Sequence, residues 1–185
     1  MVEKKIYCLV VLLLGFSMVT QGQMYQTEEG YAEFIGYTPL FSFKGSSNSL
    51  RGSVNLADST VNFELPIITL DTGNNKRNRD MMKLINVEKY PLAKFEGKII
   101  TPFRRDTPVV QEVKIKGIFT VHGVSQVLTI PGTMHFTGNG LEITAEWSQK
   151  LTTYDIDPPS VLFYSMKDEQ DIQVKAILQP AEASN

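Results

Sequence analysis

From Tyr31 onward the apolar residues of this chain recur mostly at every second position, which is the period of a β-strand with one buried face and one wet face. Val61, Phe63 and Leu65 alternate with Asn62 and Glu64, and Phe95, Gly97 and Ile99 alternate with Lys94, Glu96 and Lys98. Downstream, Val113, Ile115 and Phe119 oppose Lys114 and Lys116, while Leu141, Ile143, Ala145 and Trp147 oppose Glu142, Thr144 and Glu146. Ile172 and Val174 do the same against Gln173 and Lys175. A helical period would scatter these residues around a circumference, so the pattern predicts strands, nearly all with a single apolar face.

Turn-forming residues separate the runs at Gly45 to Asn48, Ala57-Asp58-Ser59, His122-Gly123, Gly138-Asn139-Gly140 and Asp157-Pro158-Pro159. Such short connections imply antiparallel neighbours. The main interruption runs from Asn74 to Asn86, where Asn74 or Asn75 caps a short helix carrying Met81, Met82, Leu84 and Ile85, ended by Tyr90-Pro91. The expectation is an all-β, mainly antiparallel fold of roughly eight strands and one short helix. One-faced strands must close into a barrel or stack as a sandwich, and alternation alone does not choose. An eight-stranded barrel has an interior just wide enough to fill with side chains or to hold one small or elongated ligand.

The opening of the 185-residue chain follows a different rule. Lys4 and Lys5 precede a 14-residue apolar run from Ile6 to Val19 and a small-residue ending at Thr20-Gln21-Gly22, the form of a cleaved secretory signal peptide. Residues 1–22 are therefore read as the signal peptide, cut after Gly22 or, as second choice, after Gln23, and 23–185 as one domain. The run falls short of the roughly 20 residues a membrane-crossing helix needs, and no later segment offers a helical span. Cleavage removes Cys8, the one cysteine, and with it disulfides, thiolate metal sites and a cysteine nucleophile. The mature chain keeps 16 Lys and Arg against 19 Asp and Glu, a net charge of −3, which gives no overall pull toward nucleic acid.

Residues able to carry chemistry are sparse. Neither histidine belongs to a metal-ligand pattern: His122 reads as a turn residue bonding the backbone of its own hairpin, and His135 as a strand-surface or rim residue. No metal and no cofactor is expected. Nucleophile elbows, phosphate loops and dinucleotide fingerprints are missing from the sequence, and acids such as Asp71, Asp80, Asp155 and Asp157 sit where turns and caps employ them. The densest polar run, Asp71 to Asp80, has two readings. In one, Arg77, Arg79 and Asp80 form ion pairs that pin the helix to the barrel; in the other, Arg77 and Arg79 make a cationic rim for a ligand headgroup. The structural reading is preferred, because polar runs at helix starts are common.

Two blocks carry a family resemblance. Leu70-Asp71-Thr72-Gly73-Asn74, then Arg79-Asp80-Met81-Met82, Val87-Glu88-Lys89-Tyr90-Pro91 and Phe95, followed by Gly117-Ile118-Phe119-Thr120-Val121-His122-Gly123-Val124, resemble the YceI-like family in order and spacing, from about Tyr31 to Leu178. The resemblance implies an extended, lipocalin-like antiparallel β-barrel with a helix over one end, periplasmic or secreted, binding a polyisoprenoid or similar long-chain lipid. Two departures from the family pattern stand out: the opening strands read as shortened or altered over Tyr31 to Phe43, and Leu151 to Ile156 with Pro158-Pro159 replaces the common R-x-x-F-G near the C-terminus. The leading expectation is a non-enzymatic carrier whose cavity is lined by Phe63, Phe95, Ile99, Ile115, Phe119, Ile143 and Trp147. The alternatives are a barrel filled by its own side chains, contacting another exported protein through loops or a homodimer face, and an enzyme using loop acids such as Asp71 or Asp155.

Overall fold

The computed structural model describes residues 24–161 and 164–181; the signal-peptide reading of 1–22 falls outside them. Eight strands form one closed antiparallel barrel: β1 (Met24–Tyr37), β2 (Ser42–Asn55), β3 (Thr60–Pro66), β4 (Leu92–Ile99), β5 (Gln111–Val121), β6 (Val124–Thr137), β7 (Gly140–Lys150) and β10 (Glu169–Pro180). Each strand pairs with its sequence neighbour except where β10 inserts between β7 and β1 to close the ring. Two short strands, β8 (Ser160–Val161) and β9 (Tyr164–Ser165), pair with each other outside it. The helix α1 (Asn75–Leu84) lies between β3 and β4. Closure settles the choice that alternation left open, and it removes both sheet edges.

The registers follow the alternation. Phe63 lies opposite Phe95 and Phe95 opposite Phe119, so three aromatic side chains from adjacent strands share the inner face. Val121 pairs with Val124 across a two-residue turn in which His122 and Gly123 have φ of +54° and +76°. Positive φ at both central residues gives the turn a twist that matches the flanking strands.

The structure departs from the sequence reading at the start of the barrel. Strand β1 begins at Met24, with Tyr25 already buried, and β1 and β2 are 14 residues each, so the barrel opens ahead of the alternation read from Tyr31. Gly45 to Asn48 is no turn: it lies inside β2, and the chain reverses at Thr38 to Phe41, where the Thr38 N–H donates to the Phe41 carbonyl at 2.9 Å. Gly45 faces the ring of Phe34, which would collide with any Cβ there, and Ser47 is buried two positions on. Small residues here make room for a neighbour rather than reversing the chain.

Asn74, not Asn75, caps α1, its side-chain oxygen accepting from the N–H groups of Lys76 and Arg77 at 3.0 Å each. Asp80 pairs with Lys76 at 2.6 Å, rather than with Arg77 or Arg79. No residue of α1 is fully buried; the helix rests on the barrel as a cover. Among the described residues no helix is long and apolar enough to cross a membrane.

Candidate functional site

The inner faces of the barrel enclose an apolar cavity of about 230 Å³. Cavities of about 150 Å³ with such walls stay dry and accept small apolar molecules. Along β5 alone its wall runs from Val113 to Val121, which at roughly 3.3 Å per residue is about 26 Å of strand. The space is therefore long rather than round.

Its two ends are built differently. At one end Tyr25, Phe103 and Phe136 form a plug, with Tyr25 edge-on to Phe136 at 5.3 Å and Phe103 at 6.0 Å from Phe136. Arg105 lies over the Tyr25 and Phe136 rings and donates to the Tyr25 hydroxyl at 3.0 Å. At the other end α1 supplies Met81, Leu84 and Ile85, which share a helix face through their three- and four-residue spacing. Behind them Phe119 stacks edge-on against Trp147 at 5.8 Å and against Tyr154 at 5.6 Å.

Of the seven residues expected to line a cavity, Phe63, Phe95, Ile115, Phe119, Ile143 and Trp147 do so. Ile99 does not. It is the last residue of β4, buried against Val113, Ile115 and their neighbours, and it belongs to the solid part of the core. Neither arginine enters the cavity. Arg77 is half-buried, its guanidinium 4.4 Å above the centre of the Phe43 ring and its Nη1 donating to the Thr72 carbonyl at 3.4 Å. Phe43 in turn meets the cavity-lining Phe34 edge-on at 6.1 Å, which places Arg77 at the rim. Arg79 is exposed on α1. Among the described residues neither arginine forms an ion pair.

The loop acids serve their own turns. Asp71 accepts from the Gly73 N–H and the Asn78 amide at 2.9 and 2.8 Å, and these bonds, the Asn78 one foremost, hold its carboxyl below the usual range. Asp155 has φ of +54° and ends the 3-10 turn Thr152–Tyr154. His122 reaches beyond its own hairpin: Nδ1 sits 3.0 Å from the Tyr154 carbonyl, and Tyr90 packs edge-on against the imidazole at 5.0 Å. His135 on β6 faces Glu142 of β7 across the ladder at 3.7 Å and is half-buried. Among the described residues no group of three His, Cys, Asp or Glu side chains is placed to hold a metal ion.

Among the lining residues that the sequence reading did not name, Tyr154 and Gln170 are the most deeply buried that carry a polar group. Tyr154, 1% exposed, carries a hydroxyl that is buried without a hydrogen-bond partner, and burial raises the pKa of its phenol. Gln170, 2% exposed, has an unpartnered Oε1. Tyr154 lies in the polar run Thr152 to Asp155 and Gln170 at the polar opening of β10, so neither carries a hydrophobic signal. Loop closure and strand register, not local pattern, bring them inward.

The architecture has solved counterparts. A polyisoprenoid binding domain from Saccharophagus degradans, described as implicated in plant cell wall breakdown, superposes with a TM-score of 0.72 at 10% identity, covering 86% of this chain and 99% of that one. BcnA from Burkholderia cenocepacia gives 0.65 at 15% identity, over 80% of this chain and 94% of its own. A Campylobacter jejuni YCEI protein gives 0.53 at 11% identity, over 92% and 93%. At such identities the likeness speaks for the fold. No curated protein matches the sequence. The sequence itself matches the YceI-like domain model over residues 26–178, from the first turns of β1 to the closing strand β10, and the chain belongs to that family.

Proposed function

We propose that the chain is a non-enzymatic, exported binding protein that holds a long apolar amphiphile, a polyisoprenoid or similar lipid, inside its barrel. The observation that carries this reading is the long apolar cavity running from β5 to the underside of α1. A barrel filled by its own side chains would lack it. At about 0.8 kcal/mol per buried methylene, ten carbons gain roughly 8 kcal/mol before ordering costs, so affinity needs no ionic chemistry. The description of the S. degradans neighbour as a polyisoprenoid binding domain supports the same ligand class. Export is part of the proposal and rests on the apolar run Ile6 to Val19 with Thr20 and Gly22 behind it.

Native mass spectrometry of protein purified without detergent from its export compartment, followed by organic extraction, tests this reading. A stoichiometric isoprenoid or lipid mass is expected, on a chain starting near Gln23. A bare polypeptide mass that also resists loading with polyprenyl and fatty-acyl ligands would overturn it.

A further inference from the structure

We propose that the α1 end of the barrel docks on the headgroup layer of a bilayer containing anionic lipid, with Leu40 and Phe41 entering the layer and the outer face of α1 lying against it. This goes beyond the binding reading above, because neither the hairpin tip nor the cations that dock with it line the cavity.

The chain reverses between β1 and β2 in a turn closed by its own bonds. The Thr38 hydroxyl donates to the Phe41 carbonyl at 2.8 Å and accepts from the Phe41 N–H at 3.1 Å. That closure leaves Leu40 and Phe41 in solvent, 69% and 56% exposed. Cations stand on both sides of the turn. Lys167 Nζ lies 5.7 Å from the centre of the Tyr37 ring, just before it, and Arg77 lies over Phe43, just after it. Single exposed apolar residues are ordinary, but two adjacent ones at a hairpin tip between cations fit a lipid interface, where the apolar groups enter and the charges stay at headgroup level.

Charge identifies the partner. On α1, Lys76, Arg79 and Lys83 are exposed and share a stripe through their three- and four-residue spacing, away from the Met81, Leu84 and Ile85 that face the cavity. The helix carries a net charge of +3, whereas the rest of the mature chain carries −6. That asymmetry turns this end of the barrel toward a negative surface. It also disfavours a second copy, since a two-fold partner would set one +3 helix against another. Met24, Ile100, Val109 and Val110 are exposed at the opposite end, but there Arg104 faces Asp106 at 3.7 Å and Arg105 lies over the aromatic plug. Docking through α1 brings the cover of the cavity to the layer in which long apolar chains are held.

Co-flotation of the exported protein with phosphatidylcholine vesicles, with and without an equal share of phosphatidylglycerol, tests the proposal. Binding is expected on the mixed vesicles, about tenfold weaker on phosphatidylcholine alone, and falling as salt is added. Leu40→Ser with Phe41→Ser should weaken binding to mixed vesicles about tenfold or more. Lys83→Gln with Lys167→Gln should weaken it about tenfold to thirtyfold and remove most of the preference for phosphatidylglycerol. Both double variants should melt like the parent and keep the fluorescence response of Trp147, the single tryptophan, to the isoprenoid alcohol farnesol. Absence of binding to either vesicle, binding insensitive to both double variants, or binding lost instead in Val109→Ser with Val110→Ser would overturn the proposal. So would sedimentation of the free protein as a dimer that Phe41→Ser dissociates, which would give the tip to a second copy. Farnesol reads the cavity and vesicles read the surface, so failure of the docking reading is distinguishable from failure of the binding reading.

Discussion

Asp171 ties three strands together: from β10 it accepts the Ser148 hydroxyl of β7 at 2.6 Å and the Tyr37 hydroxyl of β1. These two bonds, Ser148 first, hold its pKa below the ordinary 3.8. A carboxylate lowered on folding adds stability that is complete above its unfolded pKa and is lost as pH falls through the folded value. Thermal stability should therefore decline on acidification below about pH 4. In Ser148→Ala the decline should be shallower, because one cause of the lowered pKa is gone; melting temperatures at pH 6 and along an acid series check this, and an unchanged slope would refute it. Single residues were unevenly legible. Trp147 and Phe119 announced themselves by alternation, and six of the seven expected lining residues reach the cavity, while Ile99 obeys the same alternation but sits in the solid core. Alternation identifies the inner face; where along the barrel that face borders empty space depends on the size of every neighbour.

Among the elements, α1 is lightly anchored, since none of its residues is fully buried and its start is held by the Asn74 cap and the bonds of Asn78 to Asp71 and Thr72. Replacing Asn74 by Ala removes both cap bonds and should cost about 1 kcal/mol. Hydrogen exchange should localise the loss to α1 and leave β5 and β6 protected; uniform loss of protection would show that the helix does not open separately. Strand β2 offers the opposite case. Gly45→Ala places a methyl group against the Phe34 ring and should destabilise by about 1 to 3 kcal/mol in denaturant unfolding, whereas a turn glycine of negative φ would tolerate it. Asn74 and the His122-Gly123 hairpin could be read locally because capping and tight turns are decided within a few residues. The string Gly45-Ser46-Ser47-Asn48 could not, because small polar residues serve equally in a turn or beneath an aromatic ring of the next strand.

For the whole molecule, binding inside a closed barrel is coupled to folding, since the cavity exists only when all eight strands are joined. A ligand present at 100 times its dissociation constant should stabilise the fold by about 2.7 kcal/mol. For a domain of this size that is a rise in melting temperature of roughly 5 to 10 °C. Calorimetry with and without farnesol measures it, and an unshifted transition at saturating ligand would exclude binding to the native barrel. The strand-rich class, the antiparallel order of the hairpins, the helix between β3 and β4 and the inner-face aromatics were all determined by the sequence alone, because each follows from side-chain period, turn chemistry or capping over a short stretch. Closure of β10 onto β1, the true extent of β1 and β2, the length of the cavity, and the burial of Tyr154 and Gln170 beside it were decided only in the tertiary structure. These depend on contacts between residues far apart in the chain, where small side chains on one strand answer large ones on another, and no local pattern records that fit.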